Sequence, residues 1–123
     1  MAKILVIDDD DQVRLLIRQM LERESHVVVE AADGLKGIAL HSSEKPDLVI
    51  SDLIMPGKDG LMAIQEMISH RPSLPIIAMS GGAHGNAAWL PIAKKCGAFR
   101  VLKKPFAQQQ LLESVHDALR FAM

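Results

Sequence analysis

Apolar residues gather in five short runs rich in β-branched side chains, at residues 4–7, 27–29, 48–50, 76–79 and 101–102. Runs this short predict strands, and their lack of alternation predicts burial on both faces. Between them the apolar spacing changes to three and four residues. Val13, Leu16, Ile17, Met20 and Leu21 form the clearest such stripe and predict a helix with that stripe against a sheet. Leu35, Ile38 and Ala39 predict a second helix, Leu61, Ile64 and Ile68 a third, and Trp89, Ile92, Ala93 and Cys96 a fourth. The fifth stripe is Leu111, Leu112, Val115, Ala118 and Leu119. Five repeats of strand then helix predict a parallel sheet with helices on both faces, because parallel strands need crossover connections and these are right-handed. The expected architecture is a doubly wound, three-layer α/β sandwich.

Punctuation agrees with these boundaries. Asp33 and Gly34 precede the second helix, Lys45 and Pro46 the third strand, and Met55-Pro56-Gly57-Lys58-Asp59-Gly60 makes a loop before the third helix. Gly97 is suited to cap the fourth helix. The start of that helix is the least defined, since Pro91 fits a first turn but kinks a helix that began earlier. A length of 123 residues suits one domain, 1–123, and no repeat or linker interrupts it. With 49% hydrophobic and 24% charged residues, the composition is that of an ordinary globular chain. A net charge of -1 without a Lys/Arg cluster argues against direct nucleic-acid contact. The single cysteine, Cys96, has no partner for an intramolecular disulfide. The opening apolar run is too short for a signal peptide or a membrane span, so a cytoplasmic location is expected. The five histidines lack metal-motif spacing, and they, Cys96 and the seven methionines read as packing or surface.

The candidate chemistry lies at strand ends. Asp8 and Asp9 follow the first strand, Asp52 the third, Ser80 the fourth and Lys104 the fifth. Open α/β sheets bind ligands at the carboxyl ends of strands, where the strand order reverses. In the flavodoxin-like order 2-1-3-4-5 the first and third strands are neighbours at that point, so the three aspartates converge. Convergent carboxylates repel unless a cation offsets their charge. Hard oxygen ligands favour Mg2+, with Mn2+ able to substitute. A carboxylate can also act as a nucleophile toward phosphorus. Asp52, held by a buried strand, is the better nucleophile, while Asp8 and Asp9 are better placed as ligands. Ser80 can donate a hydrogen bond to a phosphoryl oxygen, and Lys104 can supply a cation. Asp10 and Asp11 read as helix-start residues, favoured there as caps and dipole partners.

Residue by residue, the chain resembles the receiver domains of two-component response regulators, over essentially its whole length. Ile4-Leu5-Val6-Ile7-Asp8-Asp9-Asp10 is similar to the family's acidic pair after the first strand, and the segment from Asp47 through Asp52 to Gly60 to its phosphoacceptor strand and loop. Met79-Ser80-Gly81 matches the hydroxyl position, and Leu102-Lys103-Lys104-Pro105-Phe106 the lysine-proline-phenylalanine segment. The resemblance implies a phosphoacceptor switch with Asp52 as acceptor. It implies metal ligation by Asp9, Asp52 and the Ile54 main-chain carbonyl, with Asp8 acting through water, and a cis Lys104–Pro105 bond. A histidine kinase or histidine phosphotransfer protein is the implied upstream partner and a protein effector the downstream one, with the chain a monomer or an activation-dependent dimer. Self-phosphorylation from a phosphodonor and self-dephosphorylation are the only reactions expected.

Phosphorylation is expected to draw Ser80 and Lys104 inward and to reshape the surface of the fourth helix, fifth strand and fifth helix. Trp89 is a candidate partner anchor there, with burial against the sheet as the alternative. The family's usual aromatic readout residue is replaced by Val101, and Phe99, two residues earlier, is expected to point the same way along the strand. Residues 81–86 are glycine-rich and are expected to form a flexible lip. With no effector domain after the fifth helix, the expectation is a stand-alone receiver or one belonging to a hybrid kinase or a transcription regulator. Two other classes are a phosphorylation-independent interaction module and a phosphohydrolase in which Asp8 attacks and Asp10 acts as acid.

Overall fold

The computed structural model describes residues 1–53, 60–81 and 97–121. Its elements are β1 (Lys3–Ile7), α1 (Asp11–Arg23), β2 (Val27–Ala31), α2 (Gly34–Glu44), β3 (Leu48–Asp52), α3 (Gly60–His70), β4 (Ile76–Gly81), β5 (Arg100–Lys104) and a C-terminal helix, α4 (Gln108–Phe121). The strands form one parallel sheet in the expected order β2-β1-β3-β4-β5. Four helices are described. The helix expected from Trp89, Ile92, Ala93 and Cys96 lies outside the described residues, as do the Pro91 boundary and residues 82–86 of the glycine-rich lip.

Strand alternation divides the core between two faces. Ile4, Val6, Leu48, Ile50, Ile77, Met79 and Leu102 meet Ile17, Met20 and Leu21 of α1 and Leu111, Val115 and Ala118 of the C-terminal helix. Leu5, Ile7, Val49, Ile76 and Ala78 meet Ala63, Ile64 and Met67 of α3, with Ile38 of α2 against them. This is the doubly wound, three-layer arrangement, with the chain reversing its direction of travel between β1 and β3. Burial on both faces holds for β1 and β3 but not for the edge strands. Val27 in β2 is 46% exposed, and in β5 only Leu102 is buried. An edge strand has a neighbour on one side only, and the helices cover less of it.

Two of the expected stripes are corrected. In α1, Ile17, Met20 and Leu21 are buried, but Leu16 is exposed, because it lies about 100° round the helix from Ile17. In α2 the buried residues are Gly34, Gly37 and His41, while Leu35 faces solvent and Ala39 is exposed. Phe99 also departs from expectation. The strand begins at Arg100, so strand alternation does not extend to Phe99. It packs on the α1 side of the sheet, its ring 5.1 Å from that of Phe121, while Val101 packs on the opposite side. Gly97 has φ +110°, and a Cβ there would press on Ile68, which suits the glycine expected at this point. The Lys104–Pro105 bond is cis.

Candidate functional site

At the carboxyl edge of the sheet, β1 ends at Ile7 and the Asp8 N–H donates to the carbonyl of Ala31 at 3.1 Å. Asp8 is fully buried. Its Oδ1 accepts from the Asp10 N–H at 2.9 Å. Asp10 turns the other way and caps α1, its Oδ1 accepting from the N–H groups of Gln12 at 2.9 Å and Val13 at 3.2 Å. Asp11 pairs with Arg14. The acidic run is therefore split as the sequence reading divides it. Its first two members face the site, and the next two serve the helix.

Asp52 and Lys104 are the last residues of β3 and β5, inside the strands. Lys104 reaches over β4, and its Nζ donates to Asp8 Oδ2 at 2.7 Å and to Asp52 Oδ2 at 3.1 Å. Asp52 is 8% exposed. Burial works against a charged lysine here, but the hydrogen bond to Asp8 and the charges of Asp52 and Asp8 outweigh it and hold the Lys104 pKa above its ordinary value. One carboxylate oxygen from each of Asp8, Asp9 and Asp52 lies within 4.8 Å of the others. Two such charges about 5 Å apart repel by roughly 3 kcal/mol at an effective dielectric of about 20. Among the described residues one lysine faces three carboxylates and cannot balance them, so the arrangement favours a further cation, and its all-oxygen donors suit magnesium.

Ser80, in β4, lies one position beyond Met79, the register partner of Asp52, and opposite Lys103. It is buried, and its hydroxyl has no hydrogen-bond partner among the described residues. Buried hydroxyls are nearly always paired, so one without a partner among the described residues is open to an incoming acceptor oxygen. The structure thus gathers Asp8, Asp9, Asp52 and Lys104 directly and sets Ser80 on the adjoining strand. The Ile54 carbonyl and Trp89 lie outside the described residues.

Sequence reasoning passed over Arg14. Its Nη1 donates to the main-chain oxygen of Asp8 at 2.7 Å and its Nε to Glu30 Oε1 at 2.9 Å. The only signal was an arginine in the second turn after the acidic run, which by spacing alone is a helix-surface residue.

Residues 4–116 match the model of the response regulator receiver domain family. The chain is 36% identical over 118 residues to the transcriptional regulatory protein GlrR of Escherichia coli, with 96% of this chain covered but 26% of GlrR, so it spans about a quarter of that relative. It is 32% identical over 122 residues to protein PilH of Pseudomonas aeruginosa, covering 97% of this chain and 98% of PilH. Among solved structures it is similar to NtrX from Brucella abortus, with a TM-score of 0.92 at 32% identity, covering 98% of this chain and 27% of NtrX.

Proposed function

Because the chain belongs to the response regulator receiver domain family, we propose that it is a phosphoacceptor switch of a two-component phosphorelay, accepting a phosphoryl group on Asp52. The observation that carries this reading is the position of Lys104 Nζ between Asp8 and Asp52, at 2.7 and 3.1 Å. A cation reaching over β4 from the end of β5 is ready to follow negative charge from the Asp52 carboxylate to a phosphoryl group attached to it.

In the proposed reaction an Asp52 oxygen attacks phosphorus. A new P–O bond forms, the bond from phosphorus to the donor breaks, and the donor leaves with the electron pair. The product is an aspartyl acyl phosphate, which water returns to carboxylate and inorganic phosphate. Lys104 pairs with one phosphoryl oxygen and Ser80 donates to another. Asp8, Asp9 and Asp52, with the Ile54 carbonyl, would hold magnesium or manganese, which supplies positive charge to the transferring group. No other catalysis is proposed. The donor would be a histidine kinase or a histidine phosphotransfer protein, and the target a protein effector that reads the surface at β5, the C-terminal helix and the fourth helical segment of the sequence. Among the described residues no helix is long and apolar enough to cross a membrane, and we place the exchange in the cytoplasm.

The phosphohydrolase reading has less support. Asp8, its nucleophile, has both carboxylate oxygens engaged, and Asp10, its acid, caps α1. The test is intact mass after incubation with magnesium and acetyl phosphate. The parent is expected to gain one phosphoryl group and Asp52→Asn none. Labelling of the Asn variant at Asp8 would favour the phosphohydrolase, and no labelling of either despite magnesium binding would favour a phosphorylation-independent interaction module.

A further inference from the structure

Asp8 is anchored along its whole length. Its N–H goes to Ala31, its carboxylate meets Asp10 and Lys104, and its carbonyl accepts from Arg14. The Arg14 guanidinium divides its donors among three acceptors. They are the Asp8 carbonyl at 2.7 Å, Glu30 Oε1 at 2.9 Å and Asp11 Oδ1 at 2.5 Å. The Arg14 side chain is only 14% exposed. Glu30 lies in β2, and its other oxygen accepts from Arg18 at 2.5 Å. Arg18 and Arg14, against the effect of burial, hold the Glu30 pKa below its ordinary value, so the brace is charged.

One of these acceptors is a neutral carbonyl. An ion pair alone would balance charge, whereas a planar fork shared between a carbonyl and a carboxylate fixes a position. The fixed point is the peptide that leads into Asp9, whose carboxylate is the exposed member of the acidic three. Magnesium demands near-ideal octahedral geometry, so its affinity depends on how the ligand-bearing backbone is held.

We propose that Arg14, braced by Glu30, is a positioning residue for divalent-cation binding, holding the Asp8–Asp9 peptide so that both carboxylates face the cation. This rests on the phosphoacceptor reading with magnesium as its ion. Charge and position predict opposite signs for one substitution. Arg14→Gln removes a positive charge near the carboxylates, which by electrostatics alone tightens magnesium binding. Loss of the brace loosens it.

The test is calorimetric titration of magnesium chloride into the full chain, with thermal melts of the same samples. Arg14→Gln and Arg14→Lys are both expected to weaken binding about tenfold, the lower end of what loss of an outer-sphere partner costs. Arg14→Lys keeps the charge but cannot reproduce the fork. Glu30→Gln, which retains an acceptor oxygen, is expected to lose less than Glu30→Ala, and these two carry the test should Arg14→Gln fail to fold. A lowered melting temperature with an unchanged dissociation constant in the Arg14 variants overturns the proposal and leaves Arg14 structural, as does tighter binding by Arg14→Gln. A parent that shows no magnesium binding overturns the underlying reading as well.

Discussion

Lys104 joins two carboxylates that repel each other in the buried part of the site, and its own burial is tolerated only because both are there. Removing one member of such a buried set leaves uncompensated charge and costs about 3–5 kcal/mol. Lys104→Met, which retains most of the apolar stem, is therefore expected to unfold at markedly lower urea in metal-free buffer. Magnesium should recover much of that loss and bind the variant more tightly than the parent, since the competing ammonium is gone. Urea midpoints with and without magnesium check this. An equal loss in both conditions would mean that Lys104 acts through packing. The lysine and the aspartates could be read from sequence because each lies at or just past the end of a strand, and parallel strands bring their ends together. Ser80 was legible for the same reason, but its unpaired hydroxyl was not. Arg14 was hidden because its partners are a main-chain oxygen, which no sequence displays, and Glu30, sixteen positions away on another element.

The helices show where hydropathy spacing serves and where it fails. In the C-terminal helix the expected Leu111, Val115 and Ala118 are buried, because large apolar residues there carry the contact. In α2 the fully buried positions are glycines and a histidine, which give no apolar signal, and the exposed Leu35 misdirects the reading, while the expected Ile38 packs at the edge of the core. Gly37 is required by closeness. A Cβ at this position would collide with the Cδ1 and Cγ1 atoms of Ile7, a side chain with no exposed surface. Alanine gains about 1 kcal/mol in helix propensity, while overpacking a full core costs about 1–3 kcal/mol. Gly37→Ala is thus expected to be destabilising by roughly 1 kcal/mol, the difference of those terms. Adding Ile7→Val removes the Cδ1 atom, so the double variant should be more stable than the sum of the single changes. A double-mutant cycle by urea denaturation measures the coupling, and strict additivity would rule out the contact.

Across the molecule, the parallel sheet collects its reactive charge at the carboxyl edge, and a separate titration lies between α2 and α3. His41 is buried in α2, and its Nε2 has no hydrogen-bond partner among the described residues. Burial, then the positive charges of Arg71 and His70, lowers its pKa from the ordinary 6.5. The unfolded chain therefore takes up a proton at His41 before the native chain does. Where the unfolded state binds more protons, stability rises with pH. The contribution is complete above about pH 6.5, where the unfolded histidine is neutral, and is lost as the pH falls toward the lower native value. A whole proton of difference gives a slope of about 1.4 kcal/mol per pH unit. His26 is lowered too, burial first among its causes, so the parent carries both contributions. His41→Gln keeps a polar side chain but removes one titration. Its loss of stability between pH 7.5 and 5.5 should be smaller than the parent's, read from urea midpoints at each pH. If the variant keeps the parent's full slope, His26 is the group that sets the acid limit, and the proton taken up on unfolding belongs to the β1–β2 edge instead of the α2–α3 layer.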